Sequence, residues 1–377
     1  MIYLDNSSTT KPYKEVTGEV AAYMNEDFGN PSSLHNLGLI AQKKVDSVRE
    51  ITANRIGADA KEIYFTGCGT ESDNTAIKGI ALSKKRQGKK IITSAVEHAA
   101  VLETCAFLEK QGYEVCYLGV DRYGRIDLEE LRNEVTDDTI LINLMHVNNE
   151  VGTINDLEAI GKLKGNAAFH SDCVQSFGKL DIDVDKMNLD LLSVSGHKIH
   201  GPKGTGALYV RKGTRLTPLL HGGGQEKAMR SGTENVPGIA GFGKACEMMD
   251  ISGYDTHVRA LKQRMQGGIV SAIPDVLVNS PDDGCPNILN VSFLGTRGEV
   301  ILHMLEDIGI YVSTGAACSS NKSGESHVLK AMGLGHKEIE GALRFSFSLD
   351  NTESEVDYVL ENLEQIVRRF RKLGMFR

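Results

Sequence analysis

No uninterrupted apolar run in this sequence approaches the roughly 20 residues needed to span a bilayer. Residues 1–12 lack the charged-then-apolar pattern of a signal segment. A soluble, cytoplasmic protein without a membrane partner is expected. An excess of positive charge is lacking: 50 Asp and Glu stand against 42 Lys and Arg, a formal net charge of -8. A nucleic-acid binder normally carries a basic face, so direct nucleic-acid contact is not expected either. The one basic cluster, Arg368, Arg369, Arg371 and Lys372, closes the last predicted helix, where cations suit the helix dipole. The seven cysteines are odd in number, scattered, and free of any Cys-x-x-Cys pair. That spacing argues against zinc or disulfides and for reduced thiols in a cytosolic enzyme. Internal repeats and low-complexity tracts are absent.

What is present is enough chain and enough apolar residue for a large core: 377 residues, 41% hydrophobic. That length fits two domains, or one large domain with a smaller lobe. The middle of the chain alternates in type. Strands are expected at 63–66, 91–95, 115–120, 140–147, 167–172 and 191–195, with helices at 71–85, 98–110, 127–135 and 156–164. Such alternation gives crossovers and a mostly parallel sheet, and ligands on such sheets bind beyond the carboxyl ends of the strands. Helices follow at 235–249 and 255–273. Then the pattern changes: strands at 288–294, 310–312 and 343–349, a helix at 298–308 and a terminal helix from about 353 suggest a separate α+β lobe. A short strand at 2–4 comes too early for the main sheet.

Four stretches carry chemistry. In "SVSGHKIHGPKG", 193–204, Lys198 stands between His197 and His200 at a strand end, pinned by Gly196 and Pro202. It reads either as a structural cation meeting a buried acid or as a Schiff-base lysine, since burial and nearby cations lower an amine's pKa. In "TGCGTESDN", 66–74, glycines precede a helix beginning at Glu71. Thr70 is either an ordinary N-cap or part of an anion cradle built from backbone N–H groups. The GxxxxGK[ST] pattern is missing, so an ATP phosphate loop is not expected. In "FHSDCVQS", 169–176, Asp172 ends an apolar strand, and a lone carboxylate there calls for a cation such as a protonated pyridine. Cradle, pyridinium partner and amine nucleophile together describe a pyridoxal phosphate site. In "STGAACSSNKSG", 313–324, Cys318 sits among small polar residues, the composition of an exposed, mobile loop, and reads as a reactive thiol.

With these stretches, "YLDNSSTT" (3–10), "GNPSSLH" (29–35), "EHAAVLET" (97–104), "NNEVGTI" (148–154), "SGHKIHGPKGTGALYV" (195–210), "GGGQEKAMRSGTENV" (222–236) and "STGAACSS" (313–320) make the chain resemble the cysteine desulfurases. These are pyridoxal-phosphate enzymes of the class V aminotransferase group, and the likeness covers nearly the whole chain. The segment between Cys318 and "SHVL" is similar to the long cysteine loop of the housekeeping and nitrogen-fixation-type branch. The resemblance implies the type I fold of pyridoxal-phosphate transferases: a large α/β domain over 13–254, and a small domain from 1–12 and 255–377 carrying a cysteine loop at about 313–325. It also implies a role for each matching residue. Lys198 would hold the cofactor and move protons. Asp172 would keep the pyridine nitrogen protonated, and His98 would stack on the ring. Gln175 would contact the phenolic oxygen. Gly69, Thr70, Ser195 and His197 would bind the phosphate, with Thr233 reaching across from the second subunit of a homodimer. Asn149 and Arg344 would hold the carboxylate of L-cysteine, and Cys318 would take the sulfur and pass it to an iron–sulfur scaffold or a tRNA-thiolation enzyme. Selenocysteine lyase and cysteine-sulfinate desulfinase are the alternatives within the same fold. Two thiols depart from the family pattern: Cys68 in the cradle and Cys173 after Asp172.

Overall fold

The computed structural model describes residues 1–314, 325–372 and 374. Twelve strands are described: β1 Ile2–Tyr3, β2 Ile63–Thr66, β3 Lys90–Ser94, β4 Glu114–Leu118, β5 Thr139–Asn143, β6 Ala168–Asp172, β7 Leu191–Ser195, β8 Gly206–Val210, β9 Val276–Val278, β10 Ile288–Phe293, β11 Ile310–Tyr311 and β12 Ala342–Ser346. The helices are α1 Lys14–Asn25, α2 Asn36–Asn54, α3 Gly69–Lys84, α4 Ala99–Glu109, α5 Leu128–Glu134, α6 Leu157–Leu163, α7 Val236–Glu247, α8 Ile251–Ala272, α9 Gly298–Glu306, α10 His327–Ala331, α11 His336–Glu340 and α12 Glu353–Lys372.

Seven strands form one sheet in the order β2-β8-β7-β6-β5-β3-β4. Every pair is parallel except those of β8, which runs against both β2 and β7. Strands β3, β5, β6 and β7 are buried along their whole length, as expected of a sheet covered on both faces. The apolar cluster beneath them includes Phe65, Ile142, Phe169, Leu192, Val194 and Phe242. A second cluster joins Leu4, Val258, Leu261, Phe293, Phe345 and Val359, around the three-stranded sheet β12-β10-β9. In α12 the buried residues Val356, Val359, Leu363, Val367 and Phe370 recur at helical spacing, so one stripe of that helix faces this core.

Several expected boundaries move. The strand expected at 140–147 ends at Asn143, although Leu144 and His146 still donate to His170 O and Asp172 O of β6. The helix expected from 71 starts at Gly69, and its N-cap is Cys68 without a side-chain bond. Thr70 is therefore not the cap. The Glu71 carboxylate folds back instead and accepts from Gly67 N at 2.9 Å. The helix expected from 255 starts at Ile251, capped by Asp250, which accepts from Gly253 N. The N-terminal strand β1 pairs in parallel with β11, outside the seven-stranded sheet.

Candidate active site

Five chain segments that leave the carboxyl ends of β2, β3, β5, β6 and β7 meet the N-terminal segment 7–8 and β12 around one cavity of about 240 Å³. Its walls include Gly69, Thr70, His98, Asn149, Asp172, Gln175, Ser195, His197, Lys198 and Arg344. Ten residues expected to work together, spread over 69–344, thus share one space. Thr233 is exposed and does not line it. Cys318 lies outside the described residues.

At one side, the first turn of α3 presents backbone N–H groups that have no partners inside the helix. Ser195 Oγ is buried and has no hydrogen-bond partner among the described residues. A Cβ on Gly69 would stand 2.7 Å from Val174 Cγ2, so only glycine keeps this wall open. His197 faces the same space with Nδ1 at 3.2 Å from Thr9 Oγ1. Burial first, then the field of Lys198, pushes its imidazole down to about 4. It is thus a neutral donor at physiological pH. His200 is excluded from this role: its ring stacks on Tyr13 at 4.1 Å, and its Nδ1 is taken by Lys11 O at 2.8 Å.

Lys198 sits in a single helical turn after β7. Its Nζ donates to Ser7 O at 2.5 Å and to Ser8 O at 2.8 Å. Asp172, 6% exposed, accepts from Val174 N at 2.9 Å. Burial pushes its carboxyl upward, against the pull of His98, the Val174 N–H and Lys198. His98 caps α4, its Nδ1 accepting from Ala100 N at 3.1 Å, and burial lowers its pKa. Arg344, 3% exposed, donates through Nη2 to Asp5 Oδ1 at 2.8 Å and Ser8 Oγ at 2.7 Å, and through Nη1 to Asn149 O at 2.8 Å. Its Nε is buried and has no partner among the described residues. Asn149 therefore holds the guanidinium through its backbone carbonyl.

Two contributors went unread in the sequence. The segment 5–8 supplies Asp5, the Ser7 and Ser8 carbonyls and the Ser8 hydroxyl to Lys198 and Arg344. Asp73, 1% exposed, lines the cavity, and its carboxylate and ligand atoms of His98 and Asp172 lie within 4.8 Å of one another. Burial and then Asp172 push the Asp73 carboxyl well up. A signal existed: Gly69, Asp73, Ala76, Ile77 and Ile80 recur at one helical face, which puts an acid on the buried side. The two departing thiols separate. Cys68 lines the cavity, whereas Cys173 packs into the main core and burial pushes its thiol up to about 12.

The residues fit a pyridoxal phosphate group. A phosphate needs donors without partners, found at Ser195 Oγ and the α3 N-terminus. A pyridine nitrogen needs a buried carboxyl, found at Asp172, and an aldehyde needs an amine, found at Lys198. The family described as aminotransferase class-V matches residues 2–359. A cysteine desulfurase IscS of Methanosarcina thermophila is 48% identical over 99% of this chain and 93% of its own length. The cysteine desulfurase IscS of Clostridium botulinum strain Hall is 45% identical over 99% and 96%. A solved NifS-like protein superposes with a TM-score of 0.92 at 39% identity, covering 98% of this chain and 99% of that one. The chain belongs to the class V aminotransferase family, and within it to the cysteine desulfurases.

Proposed function

We infer that the chain is a pyridoxal-phosphate-dependent cysteine desulfurase, which converts L-cysteine to L-alanine and passes the sulfur to an acceptor protein. The observation that carries the reading is the single cavity shared by Lys198, Asp172, Ser195 and Arg344. When bound, the cofactor supplies an electron sink for bond breaking at the substrate's Cα and Cβ. The chain's own residues do the rest. Lys198 Nζ is the covalent attachment point and then the base that removes the Cα proton. Asp172, whose carboxyl burial pushes upward, would face the ring nitrogen and hold its proton there, where an ion pair would offset the cost of burying its charge. His98 would cover the ring, and Gln175 would donate to its phenolic oxygen. Gly69, Thr70, Ser195 and neutral His197 hold the phosphate. Arg344, aimed by Asp5, Ser8 and Asn149 O, binds the substrate carboxylate.

Cys318 would attack the substrate sulfur as a thiolate: the new S–S bond forms as the Cβ–S bond breaks, the bonding pair stays with Cβ, which takes up a proton to become the methyl of alanine, and a persulfide is left on Cys318. Support for its reach comes from the described residues on either side. Ser313 exchanges backbone hydrogen bonds with Arg344 at 2.7 and 3.1 Å, and Ser326 Oγ donates to Glu150 Oε2 at 2.5 Å, next to Asn149.

We read the working form as a homodimer in the cytoplasm, with exposed Thr233 completing the partner's phosphate site. The acceptor is an iron–sulfur scaffold or a tRNA-thiolation enzyme. The chain divides into 13–254 and 1–12 with 255–377, a reading supported by the two separate apolar clusters, and α8 carries the chain across that division. The test is direct. Wild-type protein loaded with pyridoxal phosphate should absorb in the visible and form alanine from cysteine, and Lys198→Ala should do neither. A Lys198→Ala protein that keeps both overturns the assignment.

A further inference from the structure

Lys179 has no part in the reaction above, yet it lies four residues after Gln175 and only 4% of its surface is exposed. Its Nζ has one hydrogen bond among the described residues, donated to Gln175 Oε1 at 3.3 Å. The amide nitrogen of Gln175 donates in turn to Ser7 O at 2.9 Å. The same carbonyl accepts from Lys198 Nζ at 2.5 Å. Lys179, Gln175, Ser7 and Lys198 are therefore linked in one chain of hydrogen bonds with an amine at each end.

The chemistry of the links removes an ambiguity. A side-chain amide can sit either way round, but an ammonium only donates and a carbonyl only accepts. Lys179 fixes the oxygen of Gln175 on its own side, and Ser7 fixes the NH₂ group on the other, at the wall of the main cavity. Behind this chain, Lys179 and Lys198 also line a second cavity of about 30 Å³ with Asn6, Tyr13, His200, Asp250 and Tyr254, room for about one water molecule. Burial pushes the Lys179 amine down to about 8. Cys285 opposes that shift, and Arg344 adds a smaller push in the same direction. The Lys179 charge also acts on His197 and His200.

We propose that Lys179 is a positioning residue for the reaction: it orients the Gln175 amide toward the cofactor's oxygen, and its charge makes the Lys198 amine easier to deprotonate. The proposal rests on the reading of Lys198 as the cofactor-bearing amine. It explains why a cation stays in a place that costs stability. An ammonium with one hydrogen bond and no carboxylate partner among the described residues is a destabilising group, and an apolar side chain of similar length is neutral or stabilising there.

That sign gives a test a merely structural lysine would fail. Lys179→Met, Lys179→Arg and the wild type are compared by two readouts. One is the melting temperature of cofactor-free protein at pH 7. The other is the pH titration of the visible band of the cofactor-loaded protein. Lys179→Met should melt no lower than wild type. Its band should titrate higher by about one pH unit, a tenfold change in proton affinity, and Lys179→Arg should lie close to wild type. Adding Gln175→Ala to Lys179→Met should shift the band no further than the larger single change, since both cut one chain. Should Lys179→Met not fold, Lys179→Gln carries the same comparison. An unshifted titration in a folded, charge-free variant overturns the proposal. If the wild-type band survives Lys198→Ala, it is the reading of Lys198 that fails, and the two failures stay distinguishable.

Discussion

Replacing Arg344 by Gln should separate substrate binding from cofactor binding. A guanidinium has five N–H donors. Three are used within the chain, by Asp5 Oδ1, Ser8 Oγ and Asn149 O. Among the described residues two remain without a partner, one on Nη1 and the buried Nε. The Nε–H and Nη1–H point away from each other, so a carboxylate that takes the Nη1 donor gains one charge-assisted hydrogen bond, about 1.5–3 kcal/mol. At about 1.4 kcal/mol per decade, its loss raises KM for L-cysteine by roughly 10- to 10²-fold. The Asp5 side chain is 21% exposed, so water replaces its lost partner and the fold survives. The assay is sulfide released in the presence of a thiol reductant against substrate concentration, for cysteine and for cysteamine, which lacks the carboxylate. Arg344→Gln should keep the visible band and lose nearly all of its preference for cysteine over cysteamine. A KM within threefold of wild type, or an equal loss on both substrates, would refute the assignment.

Gly69→Ala should weaken pyridoxal phosphate binding at least tenfold, because its Cβ meets Val174 Cγ2 at 2.7 Å and Ser195 Cβ at 3.6 Å. Val174→Ala in the same protein should restore most of the loss, as equilibrium titration with the cofactor can measure. Glu97 is fully buried, and burial raises its carboxyl to about 8. The folded state therefore binds a proton between about 4.5 and 8 that the unfolded state has released, and stability falls as pH rises through that window. Thermal melts of Glu97→Gln should decline less between pH 6 and pH 8.5 than those of wild type; an identical decline would remove Glu97 as the cause.

Much of the site is legible in the sequence because strand ends in a parallel sheet point one way. Asp172 and Ser195 close their strands, Lys198 follows in the next turn, and an apolar run before each one fixes its address. Arg344 lies inside β12, in a different sheet, and only the resemblance to a family assigned it. The cradle was legible as glycines before a helix. Its first turn was not, since the Glu71 carboxylate turns back to Gly67 N and displaces the cap expected at Thr70. β8 escaped notice because an antiparallel strand among parallel neighbours interrupts the alternation of strands and helices. The contacts of Asp5, Ser7 and Ser8 with Lys198 and Arg344 span 190 residues or more, and no local spacing reports them. The same holds for the Arg49–Glu226 ion pair at 2.8 Å, which anchors three successive positive-φ residues, Glu226, Lys227 and Ala228, in the segment leading to Thr233.

The central claim is that Lys198 and its neighbours activate cysteine while Cys318 alone receives its sulfur. The measurement that tests it most directly is the intact mass of wild-type, Cys318→Ala and Cys68→Ala proteins after one turnover with L-cysteine, alongside alanine released. Wild type and Cys68→Ala should gain one sulfur atom and release alanine. Cys318→Ala should keep its visible band, respond to cysteine spectrally, exchange the substrate's Cα proton with solvent, and yield neither the added mass nor alanine. If Cys318→Ala forms alanine at a near wild-type rate while Cys68→Ala does not, the sulfur travels through the phosphate cradle and the account is wrong.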